Sequence, residues 1–227
     1  KVSPAMPPSA TQKQSSNIID WKKGKITTNK INTKCSRCIE IEVNEEISSH
    51  YKIPGQYVRI KHENTHQHAL FSLDSPPDGR NILSFLIKEN PIHDFLLKLQ
   101  EGEMIEISKP SGPGFSVPVS LLSETKKNFQ HILLVACGSG LAPIAAAIDS
   151  GVLDKIMNNS IGGSESCSGS INVISSSSSS SSSDCTVQLY IGARTAAHLP
   201  YSDRYTSWIE RGIQVLLFIR SVVIYVY

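Results

Sequence analysis

One junction constrains this chain more than any other feature. Residues 131–136 (HILLVA) form a continuous apolar run that enters Cys137-Gly-Ser-Gly-Leu-Ala-Pro143 and then an alanine-rich stretch reaching about Ile148. A run with no polar alternation predicts a parallel strand buried on both faces. The glycine pair lets the backbone turn tightly and approach a ligand with no Cβ in the way. Pro143 suits the first turn of a helix, where its missing N–H costs nothing. Amides at such a helix start present positive charge to an anion, typically a pyrophosphate. The junction therefore predicts a dinucleotide loop at Gly138, Ser139, Gly140, Leu141, Ala142 and Pro143, with proline in place of the third glycine of the usual fingerprint. The bland alternative is a plain strand-to-helix turn.

The same alternation of strand and helix continues. Residues 186–191 (TVQLYI) read as a second buried strand, 201–211 as a helix and 214–219 as a third strand, which makes half of a doubly wound α/β unit. A Ser/Gly/Asn-rich stretch at 158–184 interrupts it. That stretch reads as an exposed insertion, because it has little apolar surface to bury and lengthening a loop costs only about 0.6 kcal/mol per doubling. A phosphorylated or interacting serine loop is the sharper alternative.

Upstream the pattern differs. Residues 26–31, 35–43, 56–61, 70–74, 82–87 and 104–107 are short strands separated by turns such as Ile53-Pro-Gly55 and Pro76-Pro-Asp-Gly79. One helix is expected from Pro91 through Ile92, Phe95, Leu96 and Leu99. Six strands and one helix predict a small antiparallel barrel. The expected organisation is thus a Pro/Ser/Gln-rich disordered arm at 1–17, a barrel at 18–120, and the α/β unit at 130–227. The arm lacks acidic residues, compatible with the tail of a plastid or other organelle transit peptide or with a plain solvated arm. The chain begins at a lysine, as a processed protein or a fragment would.

A formal net charge of +2 over 227 residues, with scattered lysines, argues against a nucleic-acid partner. No apolar run approaches the roughly 18–20 residues that span a bilayer, so the chain reads as soluble. Five cysteines in the absence of a visible signal peptide suggest free thiols in an intracellular compartment. Cys35-Ser-Arg-Cys38 resembles half a zinc site, but no second pair follows, and no metal site is expected.

At this point the chain resembles the ferredoxin–NADP reductase superfamily, whose nucleotide domain opens with G-[ST]-G-x-[AT]-P. Pro54-Gly-Gln-Tyr-Val58 is similar to its barrel strand, and Phe71-Ser-Leu-Asp-Ser-Pro-Pro77 to its flavin segment. Leu99-Gln-Glu-Gly-Glu-Met-Ile-Glu-Ile107, then Lys109-Pro-Ser-Gly-Pro-Gly-Phe115, and Tyr190-Ile-Gly-Ala-Arg-Thr195 with Tyr201-Ser-Asp203, follow in the family's order. The resemblance covers about residues 24–219. It implies an FAD-binding barrel, a second domain for NAD or NADP, and hydride passage between the cofactors on the way to an unknown electron acceptor. It implies Phe71, Ser72, Ser75, His93 and Gly112 for the flavin, with Ser72 as the catalytic hydroxyl, and Gly192 and Arg194 for the dinucleotide.

Several positions depart from the family. Ala69 stands where an arginine would pair with the flavin pyrophosphate, and Phe71 where a tyrosine would stack on the ring; an ordinary core aromatic is the alternative for Phe71. After Arg220 the family would supply two more strands, so the second domain reads as cut short. These departures keep open a rival, a binding or regulatory protein that has the fold without the flavin; a third alternative is a defective or fragmentary gene product.

Overall fold

The computed structural model describes residues 19–63, 65, 67–91, 94–115, 131–159, 185–220 and 222–226. The arm at 1–17, most of the insertion at 158–184, and His93 lie outside the described residues.

Residues 22–107 build one six-stranded antiparallel sheet from β1 (Lys22–Thr33), β2 (Ser36–Glu42), β3 (Tyr57–His62), β4 (Ala69–Ser72), β5 (Ile82–Lys88) and β6 (Met104–Ile107). The order is β4-β3-β6-β1-β2-β5. The sheet curls until its two edges meet, where the Asp74 amide donates to the Ser84 carbonyl at 2.9 Å. Alternation fills the interior: Ile39 and Ile41 from β2, Val58 and Ile60 from β3, Ile105 and Ile107 from β6, with Phe85 from β5. β1 is longer than its apolar pattern suggests, because its lysine-rich start pairs with β6 while the strand also pairs with β2. Gly24 takes a core-facing place there, since a Cβ would lie 2.7 Å from Ile41 Cγ2. Cys35 falls in the β1–β2 turn, not in the strand.

Two short helices close the barrel. α1 (Glu45–Ser48) is capped by Asn44, whose Oδ1 accepts from the Ile47 amide. α2 (Asp94–Lys98) buries Leu96, and Asn29 Nδ2 donates to the Leu99 carbonyl just past its end.

The second sheet has the order β10-β9-β8-β7. β7 (His131–Cys137), β8 (Thr186–Ala193) and β9 (Ile213–Ile219) are parallel. The tail beyond Arg220 supplies β10 (Val222–Val226), an antiparallel hairpin partner of β9. Arg220 turns that hairpin with φ +45°. Helices α3 (Leu141–Asp149), α4 (Val152–Asn159) and α5 (Tyr205–Glu210) bury Ile144, Ile148, Leu153 and Trp208 against Val187, Leu189, Ile191, Val215 and Leu217.

Those sheet residues alternate along their strands, so the described helices lie on one face. The cause is topological: parallel strands in sequential order, with connections of the one hand that such units favour, wind in one direction only. The expectation that residues 131–136 are buried on both faces is therefore corrected among the described residues. Leu133 is 61% and Val135 68% exposed, while Ile132, Leu134 and Ala136 face the helices.

No helix among the described residues is long and apolar enough to cross a membrane.

Candidate dinucleotide and flavin site

β7 ends at Cys137 and the chain turns sharply through a single 3-10 turn, Gly138–Gly140, before α3 begins at Leu141. The two glycines do different jobs. Gly138 has φ +55°, a conformation L side chains rarely adopt. Gly140 has an ordinary helical φ of −64°, and a Cβ built on it would meet no atom within 4 Å. That open space is what a ligand phosphate would need. Pro143 sits in the first turn of α3. The side chains of Leu141 and Ala142 are buried in the helix–sheet core, which leaves their backbone to a ligand.

Gly192 lies at the carboxyl end of β8, in register with Cys137. Beside it open Ala193 and Arg194, and the cleft is closed from the barrel by Thr33, Cys35, Ser36 and Lys88. Ligands of open α/β sheets bind at this end of the strands. Lys88 is the residue that sequence reading missed. Its Cδ would lie 3.8 Å from a Cβ on Gly138, and it has no ion pair among the described residues. As the last residue of an apolar barrel strand it carries no local signal. Only the tertiary fold brings it to the glycine turn. His198 also lines the cleft, with Nδ1 2.6 Å from Thr195 Oγ1. Lys88 and Arg194 give the cleft two cations suited to a dinucleotide's phosphates.

The flavin side is less regular. Ala69 is 7% and Phe71 6% exposed, in register with the core residues Ile60 and Val58. The Phe71 ring meets Phe85 edge to face at 6.5 Å between centroids. Phe71 thus packs as a core aromatic, the alternative weighed for it in the sequence. Leu70, 56% exposed, occupies the outer face instead, beside half-buried Ser72, Tyr57 and Arg59. Arg59 has no carboxylate partner among the described residues, whereas neighbouring Lys61 pairs with Glu106 at 2.5 Å.

Ser75 is engaged structurally: its Oγ accepts from the Ser84 amide at 3.2 Å and its carbonyl accepts from the Tyr51 hydroxyl at 2.6 Å. Gly112, at φ +90°, lets the segment pass over Tyr57, whose Cε1 would lie 2.6 Å from an added Cβ. Gln56 Nε2 donates to the Gly112 carbonyl. Burial pushes the Cys38 thiol up to about 12, with the nearby Asp74 charge acting in the same direction. It therefore remains a neutral thiol.

The inward turn of β4 makes a direct prediction. Ala69→Arg would place a guanidinium against Ile60 instead of beside a pyrophosphate. It is expected to lower stability by about 1–3 kcal/mol, as overpacked cores do, without tightening FAD. Urea unfolding and FAD titration of the variant check both halves; tighter FAD binding at unchanged stability would show that β4 presents position 69 outward.

No protein-family profile matches the chain. Two curated proteins do. The sulfhydrogenase 2 subunit gamma of Pyrococcus furiosus is 33% identical over 107 residues, 45% of this chain and 34% of that protein. The reductase component of propane 2-monooxygenase from Mycolicibacterium goodii is 29% identical over 173 residues, 73% of this chain and 38% of that protein. Among solved structures, a ferredoxin NADP+ reductase from Neisseria gonorrhoeae with bound FAD and NADP superposes with a TM-score of 0.63 at 16% identity, over 89% of this chain and 69% of that one. The chain has the fold of the ferredoxin–NADP reductase superfamily. A flavohemoglobin from Malassezia yamatoensis with bound FAD and heme shares this reductase fold with a TM-score of 0.59, 18% identity, and coverage of 91% and 47%. The chain spans about a third of the length of the curated relatives it matches.

Proposed function

We propose that the protein is an NAD(P)H-dependent flavin oxidoreductase, passing hydride from a nicotinamide to FAD and electrons onward to an acceptor. The observation that carries the reading is the cleft at the Gly138–Ser139 turn, lined by Lys88 from the barrel and Arg194 from the second sheet. That cleft lies between the two units, where a nicotinamide would meet a barrel-bound ring. The curated relatives are a reductase component and a hydrogenase subunit, and the solved neighbour carries FAD and NADP.

In this reading residues 18–120 hold the flavin and 130–227 the dinucleotide. The Gly138–Gly140 turn admits the pyrophosphate, Lys88 and Arg194 neutralise it, and Arg194 reaches the ribose or its 2′-phosphate. Tyr57, Arg59 and Ser72 on the outer face of the barrel offer the flavin an aromatic surface, a cation and a hydroxyl. When bound, the flavin supplies the two-electron chemistry; the chain aligns the two rings and keeps water out.

A second reading, a nucleotide-binding or regulatory protein without flavin, draws on the inward turn of Ala69 and Phe71. FAD titration followed by flavin fluorescence, then addition of NADH or NADPH with the 450 nm band recorded, tests both. Quenching and bleaching are expected. Nicotinamide binding with no flavin quenching would favour the second reading, and the more effective nicotinamide fixes the coenzyme preference.

A further inference from the structure

The two units are joined by a buried polar contact. Asp74, two residues beyond Ser72, has no exposed surface. Its Oδ2 accepts a hydrogen bond from the hydroxyl of Tyr201, which is itself buried and lies in the loop after β8 that also carries Arg194. Arg204 Nη2 lies 3.8 Å from the same oxygen and its Nη1 3.2 Å from Asp149, at the end of α3. Tyr201 holds φ +57°, and its amide donates to Asn32 Oδ1 on the barrel. A third link runs from the Lys34 amide to the Ala197 carbonyl at 3.1 Å.

A carboxylate this deep is tolerated only with partners, and its Oδ1 has none. The Ser84 and Tyr201 side chains are therefore its hydrogen-bonding supports, Ser84 from within the barrel and Tyr201 from the second unit, with Arg204 at the margin. Cys38 and Asp149 add no hydrogen bond to it. One contact thus couples the strand end beside Ser72 to the loop beside Arg194.

We propose that Asp74 is a positioning residue: through Tyr201 it fixes the angle between barrel and second sheet, and so the alignment of the two rings for hydride transfer. This rests on the oxidoreductase reading. Displacing reacting groups by about 1 Å can cost on the order of a hundredfold in rate, so a modest change of angle suffices.

The test compares Tyr201→Phe, which removes only the hydroxyl, with Asp74→Asn, which keeps an acceptor for it. Tyr201→Phe is expected to lower kcat for NADH- or NADPH-driven FAD reduction about tenfold, with KM for the nicotinamide and FAD affinity within twofold of wild type. Asp74→Asn should stay within about threefold in kcat. Small-angle X-ray scattering should show a larger radius of gyration for Tyr201→Phe only. Unchanged kcat and unchanged scattering would overturn the proposal, as would a kcat loss matched by an equal loss of FAD affinity with no change in scattering. If the wild type reduces no flavin, the oxidoreductase reading fails by itself. The scattering then decides separately whether this contact sets the arrangement of the units: expansion in Tyr201→Phe upholds it and identical curves overturn it.

Discussion

Replacing Trp208 by alanine is expected to remove about 3–5 kcal/mol of folding free energy, the range for deleting a large buried aromatic. The indole is fully buried at the centre of the second core, tilted against Tyr205 at 5.8 Å between centroids. Its Nε1 donates to Asp149 Oδ1 at 2.9 Å, at the end of α3. The variant therefore opens a cavity and unties α5 from α3 together. Asp149 would keep Arg204 and Arg211, which limits the cost of the lost donor. Urea unfolding followed by circular dichroism checks this, since only two tryptophans are present and fluorescence would lose one of them. A loss under about 1 kcal/mol would mean that α5 does not cover the sheet as described.

The glycine turn should separate strain from space. Gly138→Val forces a β-branched residue into φ +55°, a conformation that costs of the order of 1–3 kcal/mol. It is expected to lower both stability and NADH affinity, the latter at least tenfold, because the turn that aims α3 at the cleft must rearrange. Gly140→Val has no such backbone penalty and meets no neighbour. Its stability should change by less than about 1 kcal/mol while NADH affinity falls as steeply, since the side chain fills the ligand's space. Titration of NADH against the wild type and both variants, paired with urea unfolding, distinguishes the two effects. Equal NADH affinity in wild type and Gly140→Val would remove the cradle from this turn. Equal stability of Gly138→Val would show that the turn relaxes without strain.

Much of the architecture is legible in the chain because it is local. Residues 35–43 and 56–61 alternate with period two, and the interior of the barrel follows that alternation. Residues 137–143 combine a glycine pair with a proline, and the strand, turn and helix appear at those positions. What could not be read locally is which way a uniformly apolar segment faces. Ala69, Leu70 and Phe71 are all apolar, so no alternation tells the two faces apart. The curl of the sheet over Val58 and Ile60 turns Ala69 and Phe71 inward and leaves Leu70 outside. The run at 131–136 is ambiguous in the same way. Burial on both faces is a property of what packs there, and the described helices pack on one.

Charge and partnership are longer-ranged still. Lys88 meets Gly138, and Asp74 meets Tyr201 across 127 residues. The sequence by itself determined two kinds of sheet, the turn between β7 and α3, and the order of the elements, because hydrophobic period and backbone freedom act over a few residues. Only the tertiary structure decided which side chains face the cleft, which carboxylate is buried between the units, and which apolar face the described helices leave uncovered. Those depend on surfaces that meet only when distant segments pack.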